Sequence, residues 1–525
     1  MSPETRFTAR VAAIVALGGF LMGFDASVIS GVVGFIETEF SLSKVELGWS
    51  VASLTLTATL AMMVAGPLSD RLGRRPVLFI AAALFLGSAI ASALATSFLA
   101  LVIARMIGGL GVGAALIIAP MYIAEISPAA IRGRMVSFNQ LNIVIGISAA
   151  FFTNYLILTL SQSDSSWVQS LGLEQWSWRW MLGLEALPAI LYLVCLPLVP
   201  ESPRWLMMKG REDEALAVLS RAGGAARAKA VLDELSDSLT ESEAETKARL
   251  ADLFRPAMRT VMAIGITVAV LQQITGINSV FFYAPMIFEQ SGIGTNAAFM
   301  QAVAVGLTNL IFTVAAMFLI DQLGRRKLLA VGVSGIAICM FVLASSFSAA
   351  TYQLTDDAMA SLPLEVDQQA LTNAVGVTYD SDLDFKAAMT DALGPQVFQE
   401  HESALVAAAI DMNATVVLLA ILGFVASFAI SLGPVMWVLF SELFPNTIRG
   451  LAISFVGLIN SAVSFGVQLV FPWELATLGN AATFMIYGSL ALVGLVVVLR
   501  LLPETKGQTL EQIEQMLVTP RVSHS

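Results

Sequence analysis

Long apolar runs separated by short polar stretches dominate this chain. They fall near residues 11–34, 47–69, 76–95, 99–124, 134–160, 180–199, 258–288, 297–320, 328–349, 412–440, 448–472 and 480–502. A helix needs roughly 20 apolar residues to cross a bilayer. The pattern therefore predicts an all-α membrane protein of twelve transmembrane helices, numbered below as spans 1–12. Composition agrees: 57% of residues are hydrophobic, 13% are charged and mean hydropathy is +0.79, where soluble domains carry about 25% charged residues. The first run is too long and too uninterrupted for a cleaved signal peptide. Cys195 and Cys339 both fall within spans and imply no disulfide.

An even number of spans puts both termini on one side. Of the 28 Lys and Arg, only Lys44 and Lys386 fall in loops on the opposite side. The positive-inside rule then makes the side of the termini cytoplasmic; the side away from the termini is called outer below. The expected organisation is an N-terminal six-helix bundle (1–202), a cytoplasmic linker (203–256), a C-terminal six-helix bundle (257–505) and a cytoplasmic tail (506–525). The linker spaces its apolar residues helically, so short amphipathic helices are expected there. An acidic outer insertion, 350–410, separates spans 9 and 10 and carries ten Asp or Glu and one Lys. Its amphipathic stretches predict some helix, and its composition assigns it no function.

The two halves repeat each other. DRLGRR (70–75) recurs as DQLGRR (321–326), and EISPAAIRG (125–133) recurs as ELFPNTIRG (442–450). Duplicated six-helix halves are a transporter signature, with a substrate site near the membrane midplane between halves that rock. Further motifs are PMYIAEISPAAIRG (120–133), WRWM (178–181), PESPRWL (200–206), QQITGINSVFFY (272–283), GPVMWVLFSELFPNTIRG (433–450) and PETKGQTLEQIE (503–514). In this order and on these sides of the membrane, they resemble the sugar porters of the major facilitator superfamily across nearly the whole chain. The resemblance implies the major facilitator fold and a sugar as the transported partner.

Side-chain chemistry gives a parallel reading. Gln272, Gln273 and Asn278 on span 7, Gln140 on span 5, Asn309 on span 8 and Asn460 on span 11 are neutral amides in apolar helices. Amides both donate and accept hydrogen bonds, as sugar hydroxyls do. They are costly facing lipid. Such residues equally tie helices to each other, and both readings stand at this point. Gly276 between the two polar groups is placed to loosen span 7. The resemblance implies that Gln140, Gln272, Gln273, Asn278, Asn309 and Trp437 bind the sugar ring and that Tyr283, with Phe282 in place of a first tyrosine, belongs to a gate. Trp437 also reads as an interfacial anchor. The pocket departs from the family pattern at Ile147 and Ser461, where members carry glutamine and tryptophan. Asn460 falls where facilitative members have asparagine.

Asp25 is the one ionisable residue in the apolar run from Val11 to Ile36. Intramembrane charges usually pair. Arg105, about six residues into span 4, lies roughly 9 Å deep at 1.5 Å per residue. Glu185 in span 6 is about as deep, so the three are expected to meet in the outer half of the N-terminal bundle. The only histidines, His401 and His524, lie outside the spans, so a carboxylate must carry any coupled proton. Apolar surroundings and a nearby guanidinium act oppositely on a carboxylic acid. A change in their separation therefore couples proton affinity to conformation. The resemblance implies the same, since proton-linked bacterial members carry Asp here and facilitators carry Asn. A static ion pair is the alternative.

The repeated loops carry Asp70, Arg74, Arg75, Asp321, Arg325 and Arg326, with Glu125, Arg132, Glu442 and Arg449 nearby in the second repeat. They read as cytoplasmic latches, or as plain topology determinants. No nucleophile–base pair, metal cluster or cofactor motif is read, and no nucleic-acid partner. The expected protein is a monomeric proton-coupled monosaccharide symporter in the lipid bilayer of a bacterial inner membrane. A proton-independent uniporter and a non-transporting sugar sensor are the alternatives.

Overall fold

The computed structural model describes residues 3–244, 249–363, 366–445 and 448–506; the Asp321 side chain, Asn446 and Thr447 and most of the tail lie outside this set. Ten helical spans run Pro3–Gly31, Lys44–Leu72, Arg74–Ala93, Phe98–Ile126, Arg132–Ser161, Ser177–Leu198, Arg259–Phe282, Thr295–Ile320, Arg325–Ser348 and Ala414–Leu443. The last apolar stretch, Arg449–Leu501, has 53 residues. At 1.5 Å per residue that is about 80 Å, more than twice a bilayer core. It breaks at Gly479 (φ 80°, ψ 165°), a conformation glycine adopts without strain. The two pieces are spans 11 and 12, which restores the twelve read from the sequence.

The chain packs as two compact units. The first comprises Met1–Val28, Ser53–Ala150 and Arg179–Ala248. Its core joins Val15, Leu78, Phe85, Ile118, Tyr122 and Tyr192 from spans 1, 3, 4 and 6. Spans 2 and 4 touch backbone to backbone: a Cβ at Gly113 would lie 2.1 Å from the carbonyl oxygen of Ala58. Small residues permit such approach between membrane helices. Large apolar side chains such as Leu60, Met63, Val64, Ile80, Leu99 and Ile103 stay exposed on these spans, as lipid-facing positions require. The linker forms the expected helices, Pro203–Met208, Glu212–Gly223 and Ala225–Ala244. The second buries Ala215, Val218, Leu219 and Ala222. It is tied to span 1 by Thr8, which donates to the Ala222 carbonyl, and by Arg221 over the Phe7 ring.

The second unit comprises Arg249–Ser525 together with Ile29–Ala52 and Phe151–Trp178. The outer ends of spans 1, 2 and 5 thus pack with spans 7–12. Trp49 meets Phe465 edge-on at 5.7 Å, and Phe151 meets Phe281 at 6.5 Å. A Cβ at Gly48 would lie 2.0 Å from the Leu469 carbonyl oxygen. These contacts shut the outer ends against one another.

The insertion is a small domain. Helices Asp356–Ser361, Asp382–Leu393 and Pro395–Ala409 surround a three-stranded antiparallel sheet of β1 (Thr351–Gln353), β2 (Thr378–Tyr379) and β3 (Ile410–Asp411), ordered β2-β1-β3. Tyr352, Leu354, Leu371, Phe385, Met389 and Leu405 form its own core. The helices are expected from the sequence; strands of two or three residues leave no periodic trace.

Candidate functional site

Span 7 is interrupted where its polar residues cluster. Its helix Arg259–Ile274 ends, Gly276 turns left-handed (φ 84°, ψ 16°), and a short helix Ile277–Phe282 follows. The turn changes the direction of Asn278 relative to Gln272 and Gln273, so all three face span 11. Gln273 Nε2 donates to Asn460 Oδ1 at 3.1 Å and to Gln272 Oε1 at 3.3 Å. Asn460 Nδ2 donates to Gln272 Oε1 at 2.8 Å and to the Ala269 carbonyl at 2.9 Å. Asn278 Nδ2 donates to Gln273 Oε1 at 2.9 Å and to Ser464 Oγ at 2.7 Å. Gln272 Nε2 reaches the Leu432 carbonyl on span 10, beside a helix interruption at Ser431.

Ser464 and Gln468 are part of this array, beyond the residues expected from the sequence. Gln468 Nε2 donates to Ser464 Oγ at 2.7 Å, and its own carbonyl accepts from Tyr283 Oη at 3.2 Å. Asn460, Ser464 and Gln468 recur every fourth residue, which puts them on one face of span 11. That spacing in an apolar helix was a readable signal. Apart from Tyr283, the other predicted residues stand outside this chain of bonds. Asn309 is buried on span 8. Trp437 is 45% exposed, with its ring edge-on to Phe440. Gln140 is exposed on span 5 in the first unit. Tyr283 and Phe282 are both buried.

In the first unit the structure brings the charged trio together. Arg105 Nη1 donates to Asp25 Oδ1 at 3.2 Å, and Nη2 to the Asp25 backbone carbonyl at 3.4 Å. Both side chains are at most 2% exposed. Asp25 Oδ2 and Glu185 Oε1 are buried without a hydrogen-bond partner, and Glu185 lies within electrostatic reach of Asp25 and Arg105. Gly108 makes room for the pair: a Cβ there would stand 2.6 Å from Asp25 Oδ2 and 2.5 Å from Ser88 Oγ. A buried carboxylate with one guanidinium contact and one idle oxygen is equipped to take a proton there.

The charges of the repeated loops, on the side of the termini, form two equivalent clusters, each inside one unit. Arg74 makes a forked contact with Glu125, both bonds at 3.1 Å, and meets Asp70 at 2.7 Å. Glu201 accepts from the backbone N–H groups of Arg74 and Arg75, and Ser202 donates to Glu125. In the second unit Arg325 contacts Glu442 at 2.8 Å, Glu504 accepts from the Arg325 N–H, and Thr505 donates to Glu442. The sequence Pro-Glu-Ser at 200–202 thus repeats as Pro-Glu-Thr at 503–505 and completes each cluster. Burial pushes the Glu201 carboxyl up, against the pull of three backbone N–H groups. Arg75 and Arg326 bind the carbonyls of Pro197 and Leu499, and Arg449 binds that of Phe444. Arg132 is exposed. The paired acids and arginines therefore bind helix ends within a unit.

Amide array, intramembrane acid–guanidinium pair and duplicated charge clusters together define a class, a polytopic carrier of small polar solutes. Residues 11–362 and 393–517 match the family described as "Sugar (and other) transporter", and the chain belongs to that family, the sugar porters of the major facilitator superfamily. It is 34% identical to the arabinose-proton symporter of Bacillus subtilis, covering 98% of this chain and 95% of that one. It is equally 34% identical to the D-xylose-proton symporter of Escherichia coli K12, over 96% and 94%. Among solved structures it resembles the inward-open xylose transporter XylE from E. coli, with TM-score 0.73, 32% identity and coverage of 97% and 99%.

Proposed function

We propose that this protein is a proton-coupled monosaccharide symporter that works by alternating access, in a bacterial inner membrane with both termini cytoplasmic. The buried Asp25–Arg105 pair with its idle carboxylate oxygen carries this reading. Relatives named for proton symport of arabinose and xylose support a pentose or hexose as the solute. Asp25 takes the proton from the outer side, with Arg105 and Glu185 setting its affinity. Gln272, Gln273, Asn278 and Asn460, extended by Ser464, exchange their mutual hydrogen bonds for those of sugar hydroxyls. Asn309, Gln140 and Trp437 complete the sugar site, Trp437 through its exposed ring face. Tyr283 and Phe282 gate it. The protein works as a monomer, transports without chemical conversion, and uses no cofactor beyond the proton.

One proton entering down the membrane potential supplies about 2.3 kcal/mol per 100 mV, and a pH gradient adds about 1.4 kcal/mol per unit. Accumulation of a neutral sugar by tens-fold follows from such values. The test is a panel of pentoses and hexoses in proteoliposomes, with and without an imposed pH gradient. The reading expects gradient-dependent accumulation of at least one sugar and alkalinisation of the outer medium when that sugar is added. Sugar entry that only equilibrates, without proton movement, makes the protein a uniporter; no entry of any sugar overturns transport of this class.

A further inference from the structure

Only two Lys or Arg side chains lie in the outer loops, Lys44 and Lys386. The structure brings both to one carboxylate, Glu402 of the insertion. Lys386 Nζ lies 2.9 Å from Glu402 Oε1, and Lys44 Nζ lies 3.5 Å from Oε2. Lys44, at the head of span 2, is also 2.6 Å from Glu37, which follows span 1. Gln290, after span 7, accepts from Lys386 and donates to Glu402. None of the four charged side chains is more than 26% exposed. Burial alone would raise the Glu402 carboxyl; the two ammonium groups outweigh it and hold it below the usual range. Next to this network, Gln399 donates to the backbone carbonyls of Leu42, at 3.1 Å, and Glu37. The insertion is fastened elsewhere to the start of span 12, where Asp382 accepts from both the backbone and side-chain nitrogens of Asn480.

The network divides cleanly. Parting at Lys44–Glu402, its longest contact, leaves two complete pairs, Lys44–Glu37 and Lys386–Glu402. No charge is stranded on either side, which is what makes a buried pair costly to break. A static brace has no need of such a seam; a contact that opens once per cycle does. The outer ends of spans 1 and 2 must leave spans 7 and 11 whenever an alternating-access carrier opens outward.

We propose that the insertion is an outer latch, in which Glu402 and Gln399 hold the Glu37–Lys44 segment while the outer side is shut and release it at the Lys44–Glu402 contact. The inference rests on the alternating-access reading, though its test requires neither sugar nor proton. A cysteine at Ala52, fully buried one turn below Gly48 on the same helix face, is placed in a Cys195→Ser, Cys339→Ser background. Membrane-impermeant maleimide is applied from outside to the full-length protein in proteoliposomes. Lys44→Met with Gln399→Ala should speed labelling on the order of three- to tenfold, the shift that loss of a partly buried ion pair gives a two-state equilibrium. Excision of 355–409 should do so at least as strongly; the excision is feasible because Thr351 and Asp411 are ladder partners. Lys386→Met cuts only contacts on the insertion's side of the seam, to Glu402 and to Gln290 after span 7, and should not speed labelling. Labelling unchanged in the Lys44→Met, Gln399→Ala protein overturns the latch, as does equal acceleration by Lys386→Met. Failure of the sugar–proton reading would show instead in the sugar panel.

Discussion

Arg105 holds one oxygen of Asp25 at 3.2 Å and leaves the other, buried at the same depth, without a partner. A pair built only for cohesion would use both oxygens, because an idle buried acceptor costs about 1–3 kcal/mol. Here the free oxygen is where a proton can enter without displacing the guanidinium. Asp25→Asn keeps the shape and the Arg105 contact but cannot titrate. It is expected to abolish uphill uptake, by more than about tenfold, while sugar exchange down a gradient persists. Parallel measurement of gradient-driven accumulation and of counterflow in the same vesicles decides the matter. Accumulation retained by the variant removes Asp25 from coupling.

Asn460 is the hub of the amide array, accepting from Gln273 and donating to Gln272 and to the Ala269 carbonyl. Replacing it with Leu takes one hydrogen-bond partner from each of the two buried glutamines. The expected results are a half-saturating sugar concentration raised about tenfold or more and a stability loss of about 1–3 kcal/mol. Asn460→Ser restores part of the polarity and should recover part of both. Equilibrium binding and thermal unfolding of the purified protein read the two effects separately. Unchanged affinity with lowered stability would assign the array to helix packing alone.

Much of this was legible in advance because membrane helices leave strong traces. Twelve apolar runs mark the spans, and the gap between the last two runs, from 472 to 480, reaches the break of the 53-residue helix at Gly479. Counting residues from the outer surface located Arg105 and Glu185 near Asp25, since depth in a bilayer converts directly to position along a helix. Ser464 and Gln468 stand out only through their four-residue spacing from Asn460, since a single hydroxyl or amide in an apolar helix equally ties helices together. The Pro-Glu-Ser and Pro-Glu-Thr elements are legible as motifs, but their capping role depends on contacts with residues far away in sequence. The Lys44–Glu402 contact, between residues 358 apart in sequence, leaves no periodic or compositional sign, and neither do the two- and three-residue strands of the insertion.

Gly48 sits where span 2 crosses span 11, with room for no side chain: a Cβ would lie 2.0 Å from the Leu469 carbonyl oxygen. Backbone cannot yield as a flexible side chain does, so Gly48→Leu must push the outer ends apart. Uptake is expected to fall at least about tenfold, with rapid outside labelling of a cysteine at Ala52, because a strongly biased two-state equilibrium starves one half of the cycle. Gly87→Ala on span 3, where a Cβ meets nothing within 4 Å, serves as the control and should transport normally. Normal uptake by Gly48→Leu would mean that this packing is not on the transport cycle.

Glu289 follows span 7 at the base of the insertion. Burial pushes its carboxyl up from 4.5 to about 7, although the hydroxyls of Thr295 and Ser403 draw it back and Glu402 adds to the rise. An acid whose folded pKa exceeds its unfolded value favours folding fully below the unfolded value, and that advantage is lost as pH climbs through the folded one. The window here is from about 4.5 to about 7, and the loss is at most about 3 kcal/mol. Glu37 acts in the same sense, burial outweighing Lys44. Glu402 acts in the opposite one: its depressed carboxyl favours folding above about 4.5, and this persists until acid reaches its lowered value. Softening on the alkaline side therefore belongs to Glu289 and Glu37, not to the latch carboxylate. The parent protein should melt at a lower temperature at pH 8 than at pH 5, and Glu289→Gln, neutral at both, should show a clearly smaller drop. Equal drops in parent and variant would show that this buried acid does not titrate in that range.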